Sequence, residues 1–140
     1  MTNADAARTV IDTYYAAFNR GDWQGMLDCL ADDVAHDVNQ GSRQTGKPAF
    51  AGFLAHMERC YRERLSEIAV MVAPDGRRAA AEFVVDGTYC STDEGLPPAA
   101  GQTYRLPAAT LFALTAETRP KIVRVTTYYN LQDWLKQVGA

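Results

Sequence analysis

The stretch Tyr14-Tyr15-Ala16-Ala17-Phe18-Asn19-Arg20-Gly21-Asp22-Trp23 carries the strongest structural signal in this chain. Apolar side chains recur at helical spacing from residue 10 to residue 18, which predicts an amphipathic helix. Gly21 is suited to the left-handed residue that often ends a helix, and Asp22 is suited to the cap of the next one. The stretch therefore predicts a long helix, a glycine stop and a short second helix that buries Trp23 and Leu30.

A second segment, Leu30-Ala31-Asp32-Asp33-Val34-Ala35-His36-Asp37, becomes β-like after Asp33 and leads into a polar run. Pro48 suits the first turn of a third helix, whose apolar stripe ends at Tyr61. Beyond this helix the pattern predicts strands over residues 66–73, 78–90, 102–115 and 121–130, and a closing helical turn over residues 131–138. Short connections between strands indicate antiparallel pairing. We therefore expect an α+β fold with three N-terminal helices packed in a curved, mostly antiparallel sheet.

The composition of the chain limits its size class and its partners. It has 140 residues, of which 47% are hydrophobic, so we expect a single domain over residues 1–140. The net charge is -3 and the basic residues are scattered, which argues against a nucleic acid partner. The N-terminus lacks a basic start with an apolar segment, and no later run is long enough to cross a bilayer. We expect a cytoplasmic protein with no membrane partner.

The sequence has no spacing typical of a metal or nucleotide site. Cys29, Cys60 and Cys90 form no Cys-x-x-Cys pair, so we expect reduced thiols. His36 and His56 have no cysteine or carboxylate partners at metal-binding spacing. No Gly-x-Gly-x-x-Gly motif or phosphate-binding loop occurs. We expect any chemistry to need neither a metal nor another cofactor.

Alternation along the strands assigns side chains to two faces of the sheet. In the last strand, Thr127 and Tyr129 fall on the proposed inner face, whereas Tyr128 and Asn130 fall on the other. Neither face of this strand is simply polar, and the helices can cover only one. The second cover is expected to be another subunit, in a homodimer formed through the outer face of the sheet.

The two quoted segments resemble the start of the cone-shaped, cystatin-like domain shared by ketosteroid isomerases, SnoaL-type polyketide cyclases and nuclear transport factor 2. The predicted order of helices and strands resembles this nuclear transport factor 2-like superfamily across nearly the whole chain. The resemblance implies one SnoaL-like domain with a pocket for a small hydrophobic molecule. It also implies a homodimer, which agrees with the pattern in the last strand.

The ketosteroid isomerase mechanism uses a carboxylate base, with a tyrosine and a protonated aspartate in an oxyanion hole. By this resemblance Tyr14 is the oxyanion donor. The resemblance gives two positions for the family's catalytic aspartate. Counting forward without gaps from the Leu30 segment places it at Val38, whereas counting backward from Gly46 places it at Asp37. A one-residue deletion reconciles the two counts, so Asp37 is the candidate base.

His36 is a second candidate for the base. Adjacent residues in a strand point to opposite faces, so His36 and Asp37 cannot both enter one pocket without a bulge. An inward-facing imidazole could itself accept a proton, as in relatives of this fold that pair a histidine with an aspartate. The sequence leaves open which of the two faces the pocket.

The third element of the isomerase site has no counterpart, because Ala109 stands where the resemblance places the protonated aspartate. A methyl group donates no hydrogen bond, which argues against steroid isomerisation and favours a SnoaL-like branch. Thr127, Tyr129 or Arg105 could supply a different polar contact. The remaining expected pocket residues are apolar: Trp23, Phe53, Met57 and Phe83.

These observations support two functions. The first is a cofactor-free isomerase or cyclase-like enzyme that abstracts a proton from a small hydrophobic carbonyl compound and stabilises the enolate. The alternative is a non-catalytic module of the same fold that binds a small ligand or supports dimerisation; a transport adaptor is a weaker third reading. The long segment 91–101 is either a lid or a surface insertion.

Overall fold

The computed structural model describes residues 1–38 and 41–139. Four helices and six strands follow the chain in the order α1 (Asn3–Asn19), α2 (Trp23–Asp28), β1 (Leu30–Asp37), β2 (Arg43–Thr45), α3 (Lys47–Cys60), β3 (Tyr61–Val72), β4 (Arg78–Tyr89), β5 (Thr103–Leu114), β6 (Ile122–Tyr129) and α4 (Leu131–Val138). In the described part of the chain, the strands form one sheet in the order β2-β1-β6-β5-β4-β3, in which the β1–β6 pairing is parallel and the other four are antiparallel. The predicted α+β fold is confirmed.

The helix boundaries follow from local capping. A capping box between Thr2 and Asp5 begins α1, and Gly21 follows its end with φ at 72°. The Asp22 carboxylate accepts a hydrogen bond from the Gly25 amide at 2.9 Å and caps α2, as the sequence predicts. Leu30 lies outside α2, because the chain has already entered β1.

The third strand begins five residues earlier than the sequence pattern indicates. Tyr61 directly follows α3 and already pairs with Tyr89 on β4. A bulge between Ser66 and Ala69 shifts the register, and Glu67 in this bulge has a positive φ of 53°. The bulge reverses the alternation of inward and outward residues, so a single period-two pattern does not fit the whole strand and the first half was not predicted.

The inner face of the curved sheet packs against α1 and α3. Tyr15 on α1 contacts Phe83 of β4 and Phe112 of β5, with ring centroids 5.5 and 6.0 Å away. At the end of α1, the Asn19 side chain donates to the Leu65 carbonyl and accepts from its amide, both at 2.9 Å. These contacts fix the long helix across the concave face and leave a space between the helices and the sheet.

The outer face of the sheet is more exposed. Asp86, Arg105 and Tyr128 lie on this side and are not fully buried. The homodimer through this face stays a prediction. Within the described ranges, no helix combines the length and the apolar character needed to span a bilayer.

Candidate functional site

A cavity of about 800 Å³ lies between α1, α3 and the inner face of the sheet. This volume falls in the range of small-molecule binding pockets, roughly 300–1,000 Å³. The structure brings Tyr14 and His36 to its wall. It also brings there six of the eight residues predicted to contact a substrate, namely Trp23, Phe53, Met57, Phe83, Thr127 and Tyr129.

His36 is the member of the His36–Asp37 pair that faces the cavity. It is 4% exposed, and its ring packs against Phe50 and Phe53 with centroids 4.5 and 4.6 Å away. Burial lowers the pKa of His36 from 6.5 to about 4, against a smaller opposing effect of the Asp37 charge. Its Nδ1 atom has no hydrogen-bond partner among the described residues. At neutral pH this is an uncharged imidazole with an unused ring nitrogen.

Asp37 lies outside the cavity wall, and its carboxylate is held by neighbouring residues. Its carboxylate accepts two hydrogen bonds from Arg43, at 2.7 and 3.0 Å, and one from Thr126 at 2.6 Å. Arg124 lies 3.6 Å away. The hydrogen bonds from Arg43 and Thr126 hold the pKa of Asp37 far below its usual range. Of the two candidates for the base, the structure brings His36 to the cavity wall and leaves Asp37 outside it, with three hydrogen bonds to its carboxylate.

Two adjacent tyrosines of α1 enter the cavity wall. Tyr14 packs edge-on against Tyr15 and Phe112, and burial raises the pKa of both phenols, so both stay protonated. The Tyr15 hydroxyl has no hydrogen-bond partner among the described residues. The nearby Thr110 hydroxyl lowers the Tyr15 pKa slightly against the effect of burial, and it also forms a hydrogen bond with the Thr127 hydroxyl at 3.2 Å. Tyr15 was missed as a donor because the resemblance directed attention to Tyr14.

Arg105 and Ala109 do not line the cavity. Both lie on the outer face of β5, where Arg105 forms ion pairs with Asp86 at 2.6 Å and Glu67 at 3.3 Å. The inward neighbours of Ala109 on β5 are Ala108 and Thr110, which both line the cavity, so the position that the resemblance matched to the isomerase aspartate does not face the cavity. The alternation of β5, with buried Tyr104 and Leu106, carried the signal for this correction.

A second polar group, missed by the sequence analysis, lies at the other end of the cavity. Asp93, in the connection between β4 and β5, accepts a hydrogen bond from Tyr61 at 2.7 Å and pairs with His56 at 3.0 Å. Its amide donates to the Tyr89 hydroxyl, which donates in turn to the Pro97 carbonyl at 2.7 Å. The segment 91–101 is thus tied to the domain and forms part of the cavity wall; its movement as a lid stays a prediction.

Glu63 lies beside this group, on the inner face of β3. Its carboxylate accepts a hydrogen bond from the Tyr104 hydroxyl at 2.5 Å, and burial raises its pKa above the usual range. Gly87 separates the two residues in the register of the sheet, and a Cβ atom there would overlap the Tyr104 ring. Glycine is therefore required for the phenol to cross β4.

These residues define two ends of one cavity. The His36 end contains Tyr14, Tyr15, His36, Thr110 and Thr127, and the Asp93 end contains His56, Tyr61, Glu63, Asp93 and Tyr104. Tyr104 and Thr110 are six positions apart on β5, which is roughly 20 Å of strand. Among the described residues, no group of three His, Cys, Asp or Glu side chains is arranged to hold a metal ion.

Comparisons with known proteins agree with this architecture. A model of the SnoaL-like domain matches residues 11–125. A structure from Xanthomonas campestris pv. campestris, provisionally described as a polyketide cyclase, is 51% identical, with a TM-score of 0.91 over 97% of this chain and 98% of that one. One from Pseudomonas putida KT2440, with the same provisional description, is 54% identical, with a TM-score of 0.90 over 99% and 98% of the two chains.

A more distant structure is similar to this chain in fold alone. It is a nuclear transport factor 2-like protein of unknown function from Burkholderia pseudomallei, 18% identical, with a TM-score of 0.79 over 100% of both chains. No curated protein sequence matches at a significant level. The domain match and the two half-identical structures show that this chain belongs to the SnoaL-like family, with the nuclear transport factor 2-like fold.

Proposed function

We propose that this protein is a cofactor-free enzyme of the isomerase or cyclase type, which acts on a small hydrophobic carbonyl compound through an enolate. The SnoaL-like domain and the two half-identical relatives, provisionally described as polyketide cyclases, support a cyclase- or isomerase-like role. The observation that carries the proposal is the pair of buried polar atoms without partners, His36 Nδ1 and the Tyr15 hydroxyl, at one end of one cavity. Such atoms are rare in folded proteins, because each one loses its hydrogen bonds to water.

His36 is the base in this proposal. In the neutral imidazole one ring nitrogen carries no proton, and its free lone pair takes a proton from the carbon beside the carbonyl. The electrons of that C–H bond form the enolate, and the imidazolium is stabilised by the neighbouring Asp37 charge. Return of the proton to another carbon isomerises the substrate, whereas attack of the enolate carbon on a second carbonyl closes a ring.

The tyrosines stabilise the developing negative charge. Tyr15, with Tyr14 beside it, donates a hydrogen bond to the enolate oxygen, as the resemblance implied for Tyr14 alone. Because burial raises the pKa of both phenols, they remain donors throughout the physiological pH range. The apolar wall excludes water, which strengthens these hydrogen bonds.

The alternative is a ligand-binding module without turnover. The low pKa of His36, about 4, favours this alternative, because it makes the imidazole a weak base. Titration with 2-naphthol, followed by absorption, separates the two readings, since a bound naphtholate mimics the enolate. We expect ionised naphthol in the wild type and about tenfold less of it in Tyr15→Phe.

Tyr128→Phe is the matched control for this titration, because Tyr128 lies on the outer face of the sheet. Tyr14→Phe measures how much the adjacent phenol contributes to the ionisation of the bound naphthol. Neutral naphthol that is bound equally by wild type, Tyr14→Phe and Tyr15→Phe would contradict enolate stabilisation and favour the binding module.

A further inference from the structure

Glu63 is a carboxylate without a cationic partner on the inner face of the sheet. The Tyr104 hydroxyl bonds to one of its oxygens, Oε2, and no residue in the described ranges bonds to Oε1. Its strand neighbours Arg62 and Arg64 are exposed and form no ion pair with it among the described residues. Arg62 also lines the cavity, but it donates to the carbonyls of Glu58 and Tyr61. One acceptor oxygen of Glu63 is therefore left for a group that is not part of this chain.

The position of Glu63 connects it to the proposed reaction site. Glu63 lines the cavity that also contains His36 and Tyr15, two residues that are 4% and 5% exposed, and it borders a second, more open pocket at β3, β4 and β5. The two ends lie roughly 20 Å apart along β5, and side chains from both ends line the space between the helices and the sheet. A compact ketone at the His36 end would leave Glu63 without a partner, whereas an elongated molecule would reach both.

We propose that the ligand is an elongated, mainly apolar molecule that places its reactive carbonyl at the His36 end and donates a hydroxyl to Glu63 Oε1. This inference rests on the proposed function and names the class of substrate that the same cavity takes. Glu63 is a specificity-determining residue in this arrangement and takes no part in proton transfer at the carbonyl.

The surroundings of Glu63 favour a hydroxyl over charged groups. An anionic ligand would be repelled by Glu63 and by Asp93, whose charges both act on Tyr129 in the same region. An ammonium group would have to lose its hydration in a cavity with largely apolar walls. A hydroxyl makes the bond that the Tyr104 phenol already makes to the other oxygen, without burial of a further charge.

Three biphenyls test this arrangement: 4-hydroxybiphenyl, 4,4′-dihydroxybiphenyl and 4-hydroxy-4′-methoxybiphenyl. Their shared phenol is expected to occupy the His36 end. Towards Glu63, the monohydroxy probe then presents no polar group, the dihydroxy probe a hydrogen-bond donor, and the methoxy probe an acceptor only. Isothermal titration of the wild type should give about tenfold tighter binding for the dihydroxy probe than for the monohydroxy probe, beyond the about twofold gain from its symmetry. The methoxy probe should show no gain.

Glu63→Gln provides the sharper variant. Its amide oxygen can still accept from Tyr104, and its NH₂ group then replaces the free acceptor with a donor. The variant should lose the preference for the dihydroxy probe and bind the methoxy probe more tightly, whereas Glu82→Gln, the same change on the exposed outer side of β4, should behave as the wild type. Thermal unfolding checks that both variants are folded.

Equal preference of wild type and Glu63→Gln for the three probes would overturn the assignment of Glu63. The proposed function has a separate readout in the same experiment, which is the ionisation of 4-hydroxybiphenyl in wild type and Tyr15→Phe. If ionisation depends on Tyr15 but Glu63→Gln has no effect on probe preference, the proposed hydroxyl site at Glu63 is contradicted and the proposed enolate site is supported. A Glu63-dependent preference without Tyr15-dependent ionisation would remove the enolate site alone.

Discussion

The two ends of the cavity treat their polar groups in opposite ways. At the Asp93 end, the carboxylate of Asp93 is bonded to Tyr61 and His56, and Glu63 holds Tyr104. At the His36 end, the ring nitrogen of His36 and the hydroxyl of Tyr15 have no partner among the described residues. Internal pairing stabilises the fold, whereas unpaired buried atoms reduce its stability until a ligand satisfies them. We infer from this difference that the Asp93 end holds its side chains in position, with one oxygen of Glu63 left for a ligand, and that the reaction takes place at the His36 end.

The largest expected loss of stability follows from a substitution at Gly87, which disrupts the Asp93 end of the cavity. In Gly87→Ala the new methyl group overlaps the Tyr104 ring, which forces the phenol away from Glu63. Overpacking and the lost hydrogen bond to a carboxylate together should reduce the free energy of unfolding by about 4 kcal/mol. Urea unfolding measures this loss. Gly52→Ala in α3 is the control, because open space surrounds that position and alanine favours helix, so it should be neutral or stabilising.

The next effect concerns the pH dependence of stability at the His36 end. The folded-state pKa of His36 is about 4, below the ordinary 6.5 of the unfolded chain. Between these values the unfolded chain binds a proton that the folded protein excludes, so the free energy of unfolding falls as the pH falls. The loss should reach about 3 kcal/mol between pH 6.5 and pH 4.

His36→Phe isolates this contribution, because phenylalanine keeps a ring between Phe50 and Phe53 and removes the titration. The difference between the urea-unfolding curves of wild type and variant cancels the contribution of every other titrating group, because the two proteins share them all. A difference that stays constant from pH 6.5 to pH 4 would show that His36 is not held neutral by burial.

A smaller effect should follow from release of the segment 91–101. Asp93→Ala leaves His56 and Tyr61 without their carboxylate partner and should reduce the free energy of unfolding by about 2 kcal/mol. Amide hydrogen exchange should become faster within the segment and stay unchanged in α1. Glu94→Ala, a change at the exposed neighbour, should leave both unchanged. Uniform exchange in Asp93→Ala and wild type would contradict the role of Asp93 in fixing this wall.

The fold could be predicted from the sequence because its signals are local. The glycine after α1, the cap at Asp22 and the alternation along β4 each depend on neighbouring residues, and all agree with the structure. The predicted start of β3 was wrong, because the bulge at Ser66 interrupts the period-two alternation of the strand. The inward series of Tyr61, Glu63 and Leu65 was a signal that could have found it.

The candidate site could be predicted only in part. The cavity wall followed from apolar periodicity, but the choice between His36 and Asp37 depends on the pairing of β1 with Arg43 and with Thr126, which local patterns do not encode. The Asp93 group joins residues 32 and 37 positions apart in the chain. Nothing in the neighbourhood of Asp93 distinguishes it from an ordinary loop carboxylate.

The central claim, that the unpaired His36 and not the paired Asp37 is the base, is tested most directly by deuterium exchange. The probe is 2-tetralone, a bicyclic ketone whose protons beside the carbonyl exchange in D₂O, followed by proton NMR with the protein-free rate subtracted. We predict that His36→Gln reduces the protein-catalysed rate by at least about 100-fold, whereas Asp37→Asn stays within about threefold of the wild type. Loss of exchange in Asp37→Asn with retention in His36→Gln would contradict this assignment.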